Sequence, residues 1–403
     1  MYDIIIVGAG PAGATCARYL SKLGHSVALI DRDTFPRDKP CGGGFSYNLL
    51  RNFPYLRTRE ADFLKGISRV GVIHSPNRKI TLRGAVDMAV ALRYDFDNVV
   101  FESAIEEGVS AYTGRRVKKI EFKEESVKAV TSDGESITGR AIVGADGVNS
   151  LVARQSGLHT RWPSKTITAC RVVEIPTAEE TITDIYGEEK EYHFYSNLGG
   201  DPGYGWIFPK RETINVGLGI VGTHAQGLPH VFNRFVKMLK KDGLLKINAD
   251  VSKARGALVP TGGPIAQTFS DRCLLIGDSC GMVSPLTGGG IAYAMIAARM
   301  AAKVLSECLE NNSLNALSLS KYQRMWQGDF GKDFGPMLLA QKIFTGPFTD
   351  VLFEIGKRDS KIQSIVSEAM AESNDENINI RSLISRTLLV CLREAFHIPS
   401  FKS

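Results

Sequence analysis

The sequence predicts a mixed α/β fold: a Rossmann-like dinucleotide-binding domain interrupted by an antiparallel β-sheet insert and followed by a helical region. Three observations predict it. An apolar strand, Tyr2 to Val7, runs directly into Gly8-Ala9-Gly10-Pro11-Ala12-Gly13, and a second apolar strand, Val27 to Ile30, ends in Asp31. Two later apolar strands, ending at Gly144-Ala145-Asp146-Gly147 and Gly277-Asp278, repeat the strand-then-glycine pattern far along the chain. Between those two, residues 165–260 turn strand-rich, and from 313 onward the spacing is helical.

The first thirty residues form a βαβ unit. Gly8 permits the tight turn, Gly10 lets backbone approach a pyrophosphate, and Gly13 lets the helix pack on the strand, with the phosphates at the helix N-terminus. Asp31 lies 18 residues beyond Gly13 (31 − 13), close to the spacing of a carboxylate that accepts from ribose hydroxyls. Residues 32–44 lack periodicity and end in Cys41-Gly42-Gly43-Gly44, a loop whose glycines imply backbone lying against something flat or bulky. Helical spacing resumes from Phe45 to Phe53. Alternation over 67–83 about the turn Ser75-Pro76-Asn77 predicts a hairpin. Ala91 to Asp97 opens an amphipathic helix reaching about Gly108, and the position of Arg93 near its start suits either a cofactor contact or a solvated helix-end cation. Three short strands follow over 109–131.

The strand 141–147 returns to the first sheet and leads into a helix at 148–154. Within 165–260, strands are expected at Thr166–Glu174, Tyr192–Ser196, Tyr204–Pro209 and Ile214–Ile220, with a helix from His230 to Lys240. After Arg272–Asp278, the run Gly288-Gly289-Gly290-Ile291 precedes a long small-residue helix from Ala292 to about Glu310, a second helix N-terminus suited to a polar or anionic group. Two such sites 260 residues apart suggest one large cofactor spanning the sheet. Helices are expected over Leu314–Phe330, Phe334–Phe344, Phe348–Gly356, Ser360–Met370 and Ser382–Phe396. The last places Ile384, Leu388, Cys391, Leu392 and Ala395 on one face, for packing on the body or anchoring at a membrane surface. The resulting partition assigns 1–75, 90–160 and 255–312 to nucleotide binding, 76–89 and 161–254 to a substrate-binding sheet domain, and 313–403 to the helical region.

Composition narrows the function classes. A chain of 403 residues exceeds one ordinary core, so two or three subdomains are expected. The charge of +6 comes from 49 basic and 43 acidic residues without a basic block, which disfavours nucleic acid and suits an anionic cofactor or membrane surface. Seven scattered cysteines, with no CxxC pair, argue against a metal site or a disulfide framework and for a reducing cytoplasm. No apolar run is long enough to span a bilayer, so any membrane contact is expected to be peripheral.

Together the three glycine motifs resemble the flavoprotein fold of the p-hydroxybenzoate hydroxylase type. Within it, Phe35-Pro36-Arg37, Lys39, Pro40-Cys41-Gly42-Gly43-Gly44 and Tyr204-Gly205-Trp206-Ile207-Phe208-Pro209 resemble the geranylgeranyl reductase family. The resemblance implies FAD, with Gly8, Gly10, Ala12 and Gly13 at the pyrophosphate, Asp31 at the adenosine ribose with Arg32 beside it, and Cys41, Gly42 and Gly44 near the isoalloxazine. It adds Arg93, Val117, Asp278, Gly289, Gly290 and Ile291 as further contacts. Tyr204, Trp206 and Phe208 alternate along a strand, share one face, and by the resemblance line an apolar tunnel for a polyprenyl substrate. The implied reaction saturates isolated C=C bonds by hydride transfer from reduced flavin, with Cys41 as the candidate proton donor; the other reading of Cys41 is packing against the ring. An oxidising monooxygenase or halogenase shares this architecture, and a prenyl-binding module without catalysis is the second alternative. The electron donor is left between a ferredoxin-like carrier and NAD(P)H.

Overall fold

The computed structural model of the chain describes residues 1–363 and Ser385. Among the described residues, two eight-stranded sheets organise the molecule. The first runs in the order Phe269–Ser270, Cys273–Leu275, Ser136–Gly144, Tyr2–Val7, Val27–Ile30, Ser110–Tyr112, with Val117–Phe122 and Val127–Thr131 branching from Ser136–Gly144. Its central strands are parallel and bury Ile4, Ile5, Ile6, Ala28, Leu29, Ile30, Ala141, Ile142 and Val143 completely, which is why they read as unbroken apolar runs rather than alternating ones. The helices Pro11–Lys22 and Ile291–Glu310 pack on each other, and the alanines that made both look small-sided are buried there.

Register decides where function can sit. Val7 pairs with Gly144, and Gly144 with Leu275, so the three glycine-bearing turns leave the sheet side by side at its carboxyl end. Open α/β sheets offer their ligand crevice at that end.

The second sheet runs Arg255–Val259, Thr168–Pro176, Thr213–Val221, Gly203–Pro209, Tyr192–Ser196, Leu64–His74, Thr81–Ala91, Gly44–Ser46. Every neighbouring pair is antiparallel except Tyr192–Ser196 with Leu64–His74. Alternation sorts its side chains onto two faces. Cys170, Val172, Phe194 and Trp206 form one apolar cluster, while Ile207, Val216 and Leu218 pack on the other side against Phe232, Phe235 and Leu239 of the helix Leu228–Lys241.

The boundary expected at 75/76 cuts a hairpin that the structure keeps whole. Leu64–His74 pairs with Thr81–Ala91 along its length, so both strands stand in the second sheet, and Gly44–Ser46 and Arg255–Val259 join it too. A hairpin cannot divide between sheets, because its ladder supplies the backbone partners of both strands. The helical spacing at Phe45–Phe53 resolves into the strand Gly44–Ser46 and a short helix, Asn48–Asn52. An unforeseen helix, Glu179–Tyr186, lies within the strand-rich run and buries Ile182 and Tyr186, spaced four apart on one face. Ala316–Gly328, Phe334–Phe344 and Thr349–Lys357 follow the expected helical region. The helix expected over Ser382–Phe396, with its face of Ile384, Leu388, Cys391, Leu392 and Ala395, lies outside the described residues, as does most of Ser360–Met370. No described helix is long and apolar enough to cross a membrane.

Candidate active site

The first glycine turn is closed by backbone contact. Gly8 has φ +99°, and a Cβ there would sit 2.3 Å from the Ala145 carbonyl oxygen; one at Gly13 would sit 1.7 Å from the Gly8 carbonyl oxygen. Neither position accepts a side chain without moving a strand or the helix. The helix Pro11–Lys22 starts at Gly10 without a side-chain cap, leaving its first N–H groups aimed outward. Asp31 Oδ2 accepts from the Ala9 N–H at 2.6 Å, and Oδ1 from the Asp33 N–H at 2.9 Å. This carboxylate shapes the turn from below. Beside Gly10 stands the Arg37 guanidinium, whose Nη1 is buried without a partner while Nη2 pairs with Asp97 at 2.9 Å. An uncapped helix start beside an unsatisfied buried N–H fits the pyrophosphate of FAD.

The central turn is built differently. Asp146 takes the Ser150 hydroxyl at 2.5 Å and the Leu151 N–H at 2.6 Å, so it caps the short helix Leu151–Gln155; burial nevertheless lifts its pKa above the ordinary value. At the third turn Gly290 opens the helix Ile291–Glu310, again without a side-chain cap, and Lys39 Nζ lies 3.7 Å from Asp278 Oδ2.

A groove of about 200 Å³ joins these turns to the second sheet. On one side runs the Cys41 loop; on the other stands the aromatic strand. The flat bulk that the three glycines anticipate is that strand: a Cβ on Gly42 would meet Phe208 at 2.6 Å and the Trp206 indole nitrogen at 3.1 Å. Tyr204 reaches the opposite end, where a Cβ on Gly288 (φ +73°) would lie 2.0 Å from its hydroxyl. The expected sharing of a face by Tyr204, Trp206 and Phe208 therefore has a definite geometry, spanning from the Cys41 loop to the third turn.

Arg93 is buried at 6% exposure and is no solvated helix-end cation. Its Nε and Nη2 donate to Asp97 at 2.6 and 2.7 Å, and the Cys41 side chain lies close enough to interact with its charge. Burial works against the Arg93 charge, but Asp97 and Cys41 reverse the effect and hold its pKa above the ordinary value. Burial likewise opposes charge on Asp97; Arg93, Arg37 and Lys39 outweigh it and keep the carboxyl below its usual range. Cys170, on the same groove, is pushed up to about 12 by burial, with the nearby Cys41 adding to it.

Of the residues singled out from sequence, Gly10, Ala12, Cys41, Gly42, Gly44, Arg93, Tyr204, Trp206, Phe208, Asp278, Gly289, Gly290 and Ile291 line this one groove. Gly8, Gly13 and Asp31 stand behind the first turn, forming it rather than facing the groove. Arg32 is exposed and pairs with Asp33, and Val117 is buried in its strand away from the lining. Sequence reasoning passed over Cys170, Val172, Tyr192 and Phe194, which line the groove from neighbouring strands. Extending the two-residue period from Tyr204 across the sheet finds them: Tyr192 and Phe194 on the adjacent strand, and Cys170 and Val172 two strands away, beyond Gly219 and Gly217.

A family model described as an FAD binding domain matches residues 1–324. A digeranylgeranylglycerophospholipid reductase of Methanopyrus kandleri is 31% identical over 354 residues, covering 85% of this chain and 87% of that protein. One from Methanothermobacter thermautotrophicus is also 31% identical, covering 86% and 88%. Among solved structures, a geranylgeranyl bacteriochlorophyll reductase-like protein of Thermoplasma acidophilum superimposes with a TM-score of 0.82 at 20% identity, covering 99% of both chains. The halogenase PltM, solved with phloroglucinol and FAD, reaches 0.72 at 16% identity over 99% of this chain and 93% of that one. At such identities the structural likeness speaks for the fold.

Proposed function

The chain belongs to the FAD binding domain family and, within it, to the digeranylgeranylglycerophospholipid reductases, and from that premise we propose that it saturates isolated C=C bonds in the prenyl chains of a lipid. It is an FAD-dependent oxidoreductase. The observation that carries the substrate reading is the groove itself: a thiol-bearing glycine loop faces an aromatic strand, with the dinucleotide turns at one end.

Reduced FAD, when bound, supplies the hydride. Gly10, Ala12, Arg37, Asp278, Gly289 and Gly290 would hold it. The chain's own residues then have three tasks. Trp206, Phe208 and Tyr204 present apolar surface to the alkene and keep water from the groove. Cys41 gives its S–H proton to the alkene carbon next to the one that accepts hydride, so a C–H bond forms as the S–H bond breaks. Arg93, held by Asp97 against the Cys41 sulfur, stabilises the thiolate left behind.

A second, narrower cavity of about 50 Å³ shares Phe194 and Tyr204 with the groove and continues past Ile73 and Leu286 to Phe344 and Phe353. A prenyl tail would enter by parting those side chains, and its apolar walls suit nothing charged.

Anaerobic incubation of the dithionite-reduced holoprotein with a geranylgeranyl ether lipid tests the reading by mass spectrometry. Gain of two hydrogens per saturated bond is expected. Product that forms only with oxygen, or no product with flavin fully bound, overturns it.

A further inference from the structure

Behind the groove, a buried polar cluster ties its two walls together. Asn215, 1% exposed, stands on the strand Thr213–Val221, next to the aromatic strand. Its Oδ1 accepts from the Trp206 indole N–H at 2.7 Å. Its Nδ2 donates to the Cys41 carbonyl at 3.0 Å and to Glu174 Oε2 at 2.7 Å. The carboxamide has one arrangement here, because the indole only donates whereas the carbonyl and carboxylate only accept. Glu174 in turn takes the Thr213 hydroxyl at 2.5 Å and both of its oxygens accept from Lys210 Nζ at 2.8 Å. Lys210 is 1% exposed, and this is the pairing that allows an ammonium to be buried. Glu174 itself is reached from the outer side, where it lines a surface cavity of about 420 Å³.

We infer that Asn215 is a positioning residue, fixing the Trp206 ring and the Cys41 loop as one unit so that an alkene lying on the aromatic strand meets the thiol at a set distance. The inference rests on the proposed roles of Cys41 and Trp206. Asn215 touches neither substrate nor cofactor. Its whole effect passes through two neighbours on opposite walls, and Glu174 with Lys210 keeps its second N–H from turning away. Without that bond the Cys41 carbonyl is left unsatisfied, and the loop carrying Cys41 gains freedom relative to the ring that presses on Gly42.

The test uses the holoprotein and follows two readouts. One is the rate at which iodoacetamide alkylates Cys41, read by peptide mass spectrometry; the other is the split of lipid reduction into kcat and KM. Asn215→Leu is expected to retain FAD, label Cys41 at least fivefold faster, and lose at least tenfold in kcat while KM moves less than threefold. Should that variant not fold, Asn215→Asp combined with Glu174→Gln answers the same question. That pair keeps the acceptor for Trp206, keeps one carboxylate near Lys210, and removes the donor to the Cys41 carbonyl. It too should label Cys41 at least fivefold faster. Labelling within twofold of the wild type in whichever variant folds overturns the inference. A wild type that reduces no prenyl lipid overturns the proposed function instead, and the labelling arm still decides what Asn215 does to the loop.

Discussion

The two sheets meet at one groove and contribute to it by opposite means. The parallel sheet contributes backbone: turns at Gly8–Gly13 and Gly288–Gly290, where what matters at Gly8, Gly13 and Gly288 is the absence of a Cβ. The antiparallel sheet contributes side chains: Tyr204, Trp206, Phe208, Cys170 and Phe194. A backbone site tolerates no side chain at the glycines where backbone closes on backbone, Gly8 and Gly13, and places little demand on its neighbours. A side-chain site depends on register, since shifting a strand by one residue would turn its aromatic face away. The parallel half should therefore decide whether the cofactor binds, and the antiparallel half what is done with it.

Breaking the parallel half has the largest expected effect. In Gly13→Ala the added methyl meets the Gly8 carbonyl at 1.7 Å, a contact relieved only by moving the helix off its strand. FAD affinity should fall by about tenfold or more, equivalent to about 1.4 kcal/mol of binding, and the flavin absorbance retained per protein should fall with it. A yellow variant with wild-type stoichiometry would show that the turn does not hold the dinucleotide.

At the Cys41 loop, which faces the aromatic strand, the contrast sharpens. Cys41→Ser should keep FAD in full and lower the rate of alkene reduction by about 10²-fold, the range of a single general acid. Arg93 still has Asp97 in that variant, so the buried cation stays paired. Flavin content and rate falling together would erase the division of labour between the sheets. A smaller effect is expected in the second cavity: Leu286→Phe narrows it, and kcat/KM for a long prenyl chain should drop by about tenfold while a short one is unaffected. Equal losses for both chain lengths would place the tail elsewhere.

The same division explains what could be read from the sequence. The dinucleotide turns were legible because their requirements are local: Gly8, Gly10 and Gly13 within six residues state the whole need for close backbone approach. Asp31 was legible as part of that unit, although in the structure its carboxylate holds the Ala9 and Asp33 N–H groups. Tyr204, Trp206 and Phe208 were legible as one face for the same local reason. Asn215, Glu174 and Lys210 were not. They come from two strands and a strand end that become neighbours through the pairing of Thr168–Pro176, Thr213–Val221 and Gly203–Pro209, and isolated polar residues in strands carry no mark of a buried partner. The alternation over 67–83 marks the hairpin but not its sheet, because membership of a sheet depends on a third strand, Tyr192–Ser196, far along the chain.

The far face of the antiparallel sheet offers the smallest expected effect and a control on the rest. His74 Nε2 and His193 Nδ1 lie 2.9 Å apart, and the His74 ring stacks on Tyr195 at 4.2 Å, on the side of the sheet turned away from the groove. Burial lowers His74 to about 4, against a smaller opposing pull from Asp242 and with Arg83 and Arg78 adding to it; burial, His74 and Arg83 lower His193 to about 3. In the unfolded chain both titrate near 6.5, so as pH falls below that value the unfolded state binds protons that the folded state refuses. Stability conferred by the neutral pair is therefore complete above about 6.5 and declines on acidification, ceasing to change near 4 for His74 and near 3 for His193. Each histidine contributes a slope of about 1.4 kcal/mol per pH unit within its window. Replacing both by Phe should flatten the fall of Tm between pH 6.5 and 4 while leaving flavin content and prenyl reduction at neutral pH unchanged. If the double variant loses activity at pH 7.5 with its fold intact, the two faces of the sheet are coupled, and the antiparallel half does more than hold a wall in place.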